Sequence, residues 1–331
     1  MNTPKPPSTV AQLTATHPPP PNHKTRQTIL TLAILLLTAC SMPQKLSDHR
    51  EFLEREVLTN PAIATHQFEQ PDNFTLHYRS RGTATQAVAV WIHGTPGSWA
   101  DIGHLFVNDE FLAKVRLVSL DRPGWGKSHH RTTPHPPPGS LPDFADQAKH
   151  IAPLLEKLAA AHPNVPLILA GHSWGGSLAP YLAAEQSTTV DGILILAGGL
   201  DPALAAPRWY NRLANLWPVR QLLPPALIGA NREIYALRPN LQKMANRWQT
   251  LQMPILVIQG TKDSLVHPAN APYARTRLKN NPNTQILELP NQGHLLQIEQ
   301  TPLIAQCILA LAQKNLPKCT PTPIDNPTNI P

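Results

Sequence analysis

The sequence predicts an α/β protein: a mostly parallel central sheet with helices on both faces and a small helical cap inserted near its end. Three observations predict it. Short, continuously apolar runs rich in Val, Ile and Leu alternate with helical stretches, as expected of strands buried on both faces. A glycine-flanked serine, Gly171-His172-Ser173-Trp174-Gly175, stands where one such run gives way to a helix. Between two late strands, residues 198–253 intervene where a crossover needs roughly a dozen.

Taken in chain order, the first forty residues read as a processing signal. Residues 1–26 carry Lys5, Lys24 and Arg26 and no acid, and the apolar stretch 29–39 precedes Cys40. That stretch is too short to cross a bilayer, which takes about 20 apolar residues. Leu37-Thr38-Ala39-Cys40 resembles the lipobox of bacterial lipoproteins, although the leader before Lys24 is unusually long and Pro-rich. The resemblance implies cleavage of residues 1–39, a lipid on Cys40 and a membrane anchor facing the periplasm. Ser41, where an Asp would retain the protein at the inner membrane, favours the outer membrane. Loss of the leader takes the formal charge from +7 to +4, too mild and scattered for a nucleic-acid partner.

Residues 40–70 read as a tether, with Asp48 and Glu51 at capping-box spacing for a short helix. The main body is expected over residues 71–314. Its strands are expected at 74–78, 87–92, 115–120, 165–170, 192–196, 254–258 and 284–289, and its helices near 141–162, 175–186, 268–280 and 299–314. The cap, about residues 201–251, carries Trp209, Tyr210, Leu213, Leu216, Trp217 and Trp248 in helical stretches broken by prolines. It would cover the carboxyl edge of the sheet, where open α/β sheets bind ligands. Trp99, Trp125 and Trp174 beside the catalytic loops and the three cap tryptophans serve equally well as pocket wall or core anchors. Residues 315–331 form a Pro-rich tail. Cys307 and Cys319 either close a C-terminal loop in an oxidising compartment or stay free; the sequence leaves both open.

The serine motif carries the chemistry. A sharp strand-to-helix turn needs glycines at 171 and 175 and lifts the Ser173 hydroxyl above the sheet. An alcohol is a weak nucleophile at neutral pH and needs a base, with a carboxylate behind the base to fix its tautomer. His294 and Asp263 each follow a predicted strand, so both emerge at the same sheet edge as Ser173; Asp201 is the reserve acid. In His93-Gly94-Thr95-Pro96-Gly97 the backbone N–H of Thr95 would pair with that of Trp174 to hold an oxyanion, since Pro96 has none to give. His93 is expected to brace this loop and move no proton. His129, His130 and His135 lie in a Pro-rich loop with no acid or cysteine among them, and no metal or other cofactor is expected.

These motifs, with Asp121-Arg122-Pro123-Gly124-Trp125-Gly126-Lys127-Ser128, resemble the α/β-hydrolase superfamily in its capped serine esterase and peptidase branch, over residues 74–314. The resemblance implies hydrolysis of a small acyl substrate by Ser173, His294 and Asp263, with Asp121 and Arg122 bracing a loop. Ser173, where dehalogenases and epoxide hydrolases of this branch have Asp, argues against both. An aminopeptidase resembling proline iminopeptidases is the alternative, but a cap with Asp201 and Glu233 against seven basic residues disfavours a free amine. A third reading is a binding or scaffold lipoprotein with an inactive hydrolase fold. The oligomeric state stays open.

Overall fold

The structure, a computed structural model, describes residues 44–133 and 136–321. The leader and Cys40 lie outside the described residues, as do His135 and most of the tail. Among the described residues, 44–50 and those from Glu51 onward fall into two units. The first contains the start of the helix Gln44–Phe52. Among the described residues no helix is long and apolar enough to cross a membrane.

The second unit is built on a nine-stranded sheet. Its strands are β1 Ala64–Glu69, β2 Phe74–Arg81, β3 Ala87–Ile92, β4 Val115–Leu120, β5 His129–His130, β6 Leu167–His172, β7 Gly192–Leu196, β8 Ile255–Gly260 and β9 Thr284–Leu289. The order is β1-β2-β4-β3-β6-β7-β8-β9, with β5 added beside β2. Pairing is parallel from β4 to β9 and antiparallel at β1, β2 and β5. The central strands are buried along their whole length. Alternation then divides each between two cores: Val88, Val90 and Ile92 face one with Phe144, Ile151 and Leu182, while Ala87, Ala89 and Trp91 face the other with Phe106, Ile304 and Ile308. Helices Phe144–Ala161 and Trp174–Glu185 cover the first face and Thr301–Ala312 the second.

Two boundaries move outward from the sequence expectation. The folded body begins inside the stretch read as a tether: β1 pairs with β2, and Val57 and Ile63 are buried in the second core. This strand, Ala-Thr-His-Gln-Phe-Glu, lies at the sheet edge with its residues exposed or half-exposed, so it carries no apolar run to announce it. At the other end, a disulfide joins Cys307 to Cys319, and Leu316 and Cys319 are buried, so the body runs past 314. The histidine loop is also partly ordered: His129–His130 is a strand, and the His130 ring meets Phe74 and His150 edge-on.

Parallel register sets where the site can form. Ile92 pairs with Gly171, His172 with Leu196, and Gly260 with Leu289. The carboxyl ends of β3, β6, β7, β8 and β9 therefore lie along one rim, and the loops that follow emerge together. The cap segment between β7 and β8 contains helices Trp209–Leu213, Trp217–Arg220 and Pro225–Met244, the last running straight through Pro239 where the sequence suggests a break.

Candidate active site

Ser173 lies between β6 and the helix Trp174–Glu185, at φ 54° and ψ −116°. A non-glycine residue at positive φ is strained, and here packing enforces it. A Cβ on Gly171 would collide with the Gly175 carbonyl, and one on Gly175 with the Ile92 carbonyl, so the turn passes between two strands only with glycine on either side. The Ser173 N–H donates to the Leu196 carbonyl at 2.8 Å, which ties the elbow to β7. Trp174 occupies the first helical position, whose N–H has no helical acceptor.

Asp263 follows β8 and is buried. Its Oδ1 accepts the N–H groups of Leu265 and Val266, each at 2.8 Å, and its Oδ2 accepts Gln259 Nε2 at 3.1 Å and His294 Nδ1 at 2.7 Å. Burial pushes this carboxyl up, but the His294 contact and the two backbone donors outweigh it and hold it below the usual carboxylate range. A neutral imidazole that donates Nδ1–H to this carboxylate keeps its other ring nitrogen as an acceptor. Asp201, the reserve acid, has its Oδ1 engaged by the Ala203 N–H at 2.8 Å, and the carboxylate paired with His294 is that of Asp263.

Ser173, His294, Thr95 and Asp201 all line one cavity of about 340 Å³. Gly94 lies so close to the elbow that a Cβ there would be 3.2 Å from the Ser173 Cβ. The other walls come from the cap, chiefly Leu204, Tyr210 and Leu237, and from Leu265 and Val266 of the Asp263 loop. No tryptophan lines the cavity among the described residues: Trp99, Trp125, Trp174 and Trp248 are core anchors, while Trp209 and Trp217 are exposed.

Sequence reasoning missed three supporting groups. His172, inside the serine motif, places its Nε2 2.8 Å from the His294 carbonyl. Burial first, and then the neighbouring His294, push its pKa down to about 3, so the ring is neutral and that nitrogen donates. Gln259 steadies Asp263 from the preceding strand. Glu233, on the long cap helix, makes a bidentate pair with Arg122 at 2.7 and 2.9 Å and accepts Trp125 Nε1 at 3.0 Å. Arg122 also donates to the carbonyls of His93 and Gly94, so the cap holds the loop that carries Thr95. Glu233 is the one acid in a cationic helix, the single sequence signal it had.

The expected bracing groups behave as bracing groups. Asp121 accepts His77 Nδ1 at 2.9 Å and the N–H groups of Trp99 and Lys127. A side chain at Gly126, φ +53°, would strike that carboxylate. His93 is wholly buried; its Nε2 accepts the Arg122 N–H, and burial, with Arg122 beside it, pushes its pKa down to about 3. Among the described residues no group of three His, Cys, Asp or Glu could hold a metal ion.

Residues 89–306 match the family model described as the alpha/beta hydrolase family. The chain is 25% identical over 264 residues to a dihydrolipoyllysine-residue acetyltransferase component of the acetoin cleaving system of Pseudomonas putida, a match spanning 68% of this chain and 63% of that one. It is 31% identical over 134 residues to a 2-hydroxy-6-oxononadienedioate/2-hydroxy-6-oxononatrienedioate hydrolase of Burkholderia vietnamiensis, covering 40% of this chain and 42% of that one. The chain thus spans less than two thirds of either curated relative. Its backbone superimposes on a carboxylesterase structure from Nitrososphaera gargenis with a TM-score of 0.57 at 17% identity, over 76% of this chain and 100% of that one, a likeness of fold alone.

Proposed function

The chain belongs to the alpha/beta hydrolase family, and on that premise we propose that it is a serine hydrolase cleaving an ester-type acyl bond. The observation that carries the reading is the 2.7 Å Asp263–His294 pair, set on the wall of the cavity that also holds Ser173 at its strained turn. In this reading His294 takes the hydroxyl proton as the Ser173 oxygen attacks the acyl carbon. The N–H groups of Thr95 and Trp174 stabilise the oxyanion, each worth about 3 kcal/mol. Collapse returns the proton to the leaving alkoxide, giving an alcohol and an acyl-enzyme, and water repeats the sequence to release the acid and restore Ser173.

The cap favours an ester over a free-amine substrate. An aminopeptidase needs a carboxylate for the substrate ammonium; Glu233 is consumed by Arg122, and Asp201, with one oxygen on the Ala203 N–H, shares the cavity wall with the Arg208 cation. A fluorophosphonate probe separates the enzyme from an inactive scaffold: labelling of the parent and none of Ser173→Ala supports the enzyme, and an unlabelled parent removes it. Chromogenic esters of graded acyl length beside aminoacyl anilides then test the bond class. Hydrolysis of anilides alone would reverse the ranking.

The same reading includes a lipid anchor on Cys40 and a place in the bacterial envelope on the periplasmic side. The Cys307–Cys319 bond supports an oxidising compartment. Metabolic labelling with an alkynyl palmitate should mark the parent and spare Cys40→Ser; equal labelling, or none, would remove the anchor.

A further inference from the structure

The outer half of the cap is the part of the described molecule where large apolar side chains gather in solvent. Neither Trp209–Leu213 nor Trp217–Arg220 buries a single residue. Trp209 is 74% exposed, Trp217 76%, Leu222 78% and Leu216 54%, with Leu213 and Leu227 also exposed. Scattered surface leucines need no explanation, but a run of this density marks a surface that meets something apolar. From Pro202 to Arg232 the chain carries four arginines and no acid. Indoles and leucines mixed with guanidinium groups suit the boundary of an anionic bilayer, where the rings enter the headgroup level and the arginines meet phosphate. A second copy seated face to face would oppose two stretches that each carry arginines and no acid to pair with them.

The same segment borders the candidate active site. The Trp209 ring packs edge-on against Tyr210 with centroids 5.9 Å apart, and Tyr210 lines the cavity. Arg208 donates to the carbonyls of Ser264 and Leu265, fastening this segment to the loop that carries Asp263. Leu265, which also lines the cavity, is 58% exposed.

We propose that the outer half of the cap, from Trp209 to Leu227, is a docking surface for a bilayer containing anionic phospholipid, independent of any anchor on Cys40. That the docked enzyme draws its acyl substrate from the bilayer rests on the hydrolase reading above; the docking itself does not.

The test uses the full chain carrying Cys40→Ser, so that no attached lipid contributes. Any pull from residues 29–39 is common to parent and variants. Sedimentation with phosphatidylcholine vesicles, with and without phosphatidylglycerol, reads the partition directly. The parent should bind the phosphatidylglycerol vesicles with a blue shift of tryptophan emission. Trp209→Ala/Trp217→Ala/Leu222→Ala should weaken binding at least about tenfold. Arg212→Gln/Arg220→Gln should weaken it by about tenfold or more on the anionic vesicles only. These side chains are exposed, so the melting temperatures should match the parent's. Equal partition of parent and cap variants overturns the proposal, as does a parent that ignores phosphatidylglycerol. A concentration-dependent dimer abolished by the tryptophan variant would assign the face to a second copy and also overturn it. Turnover of a soluble ester, measured in parallel, reads the catalytic claim separately.

Discussion

Two polar constellations bridge distant parts of this chain, and they differ in what their last atoms meet. In the Arg122–Glu233 pair both side chains are wholly buried, and the guanidinium is engaged by Glu233, Gln147 and the carbonyls of His93 and Gly94. In the Asp263–His294 pair the carboxylate is just as buried and saturated, but the imidazole commits one nitrogen to Asp263 and lines the cavity beside Ser173. Burying ions costs several kcal/mol each, and only complete pairing offsets it. The first pair spends all of its bonding capacity on holding the cap to the sheet. The second keeps some in reserve, which chemistry requires.

The largest expected effects follow from that contrast. Ser173→Ala and His294→Ala should each lower kcat/KM by about 10⁴-fold or more, while urea denaturation of Ser173→Ala stays close to the parent's. Glu233→Ala should act chiefly on stability. It strands the buried Arg122 charge and should cost about 3–5 kcal/mol in urea denaturation. A loss under about 1 kcal/mol would mean that water reaches Arg122, and the division between architecture and chemistry would dissolve.

The contrast also explains what the sequence could show. Ser173, Asp263 and His294 follow apolar strands, and a parallel sheet brings the ends of such strands to one rim, so their emergence at that rim was legible from the strand pattern and the serine motif. Arg122 and Glu233 are separated by 111 residues, and no periodicity links a loop arginine to a cap helix. β1 escaped for a different reason: an edge strand with exposed or half-exposed positions lacks the apolar alternation that identifies strands. The pairing of Cys307 with Cys319 needed coordinates, because their spacing allows a bond without requiring one. Bare tryptophan positions likewise could not separate Trp248, a core anchor, from Trp217, a surface residue.

The smaller pH effect sharpens the comparison through neutral groups. Burial pushes His93 and His172 down to about 3 and His150 to about 4. An unfolded histidine titrates near 6.5, so between that value and the folded pKa the unfolded chain binds more protons. Their contribution is full above about pH 6.5 and falls as pH drops towards 3, each residue weakening the fold by at most about 1.4 kcal/mol per pH unit. Asp101 acts in the opposite sense. Burial raises it to about 7, so the folded state keeps a proton that the unfolded state loses, and stability falls as pH rises from about 4 to 7. Three histidines against one acid leave a net gain in stability between about pH 4 and 6.5, measurable by thermal melts. A flat profile would mean that these rings reach water.

The smallest effect belongs to Asp201, and it is the most discriminating because both acids stand at the same rim. Asp263 is tied to His294, whereas the Asp201 Oδ1 is tied to the Ala203 backbone. Asp263→Asn removes the acceptor that fixes the tautomer and should cost about 10⁴-fold in kcat. Asp201→Asn keeps an acceptor for Ala203 and changes only the charge on a cavity wall that Arg208 also lines, so kcat should move less than about tenfold, with any shift in KM reporting substrate charge. If the two variants lose turnover equally, the acid serving His294 in solution is not the one paired with it here, and the loop after β7 must move to take that place.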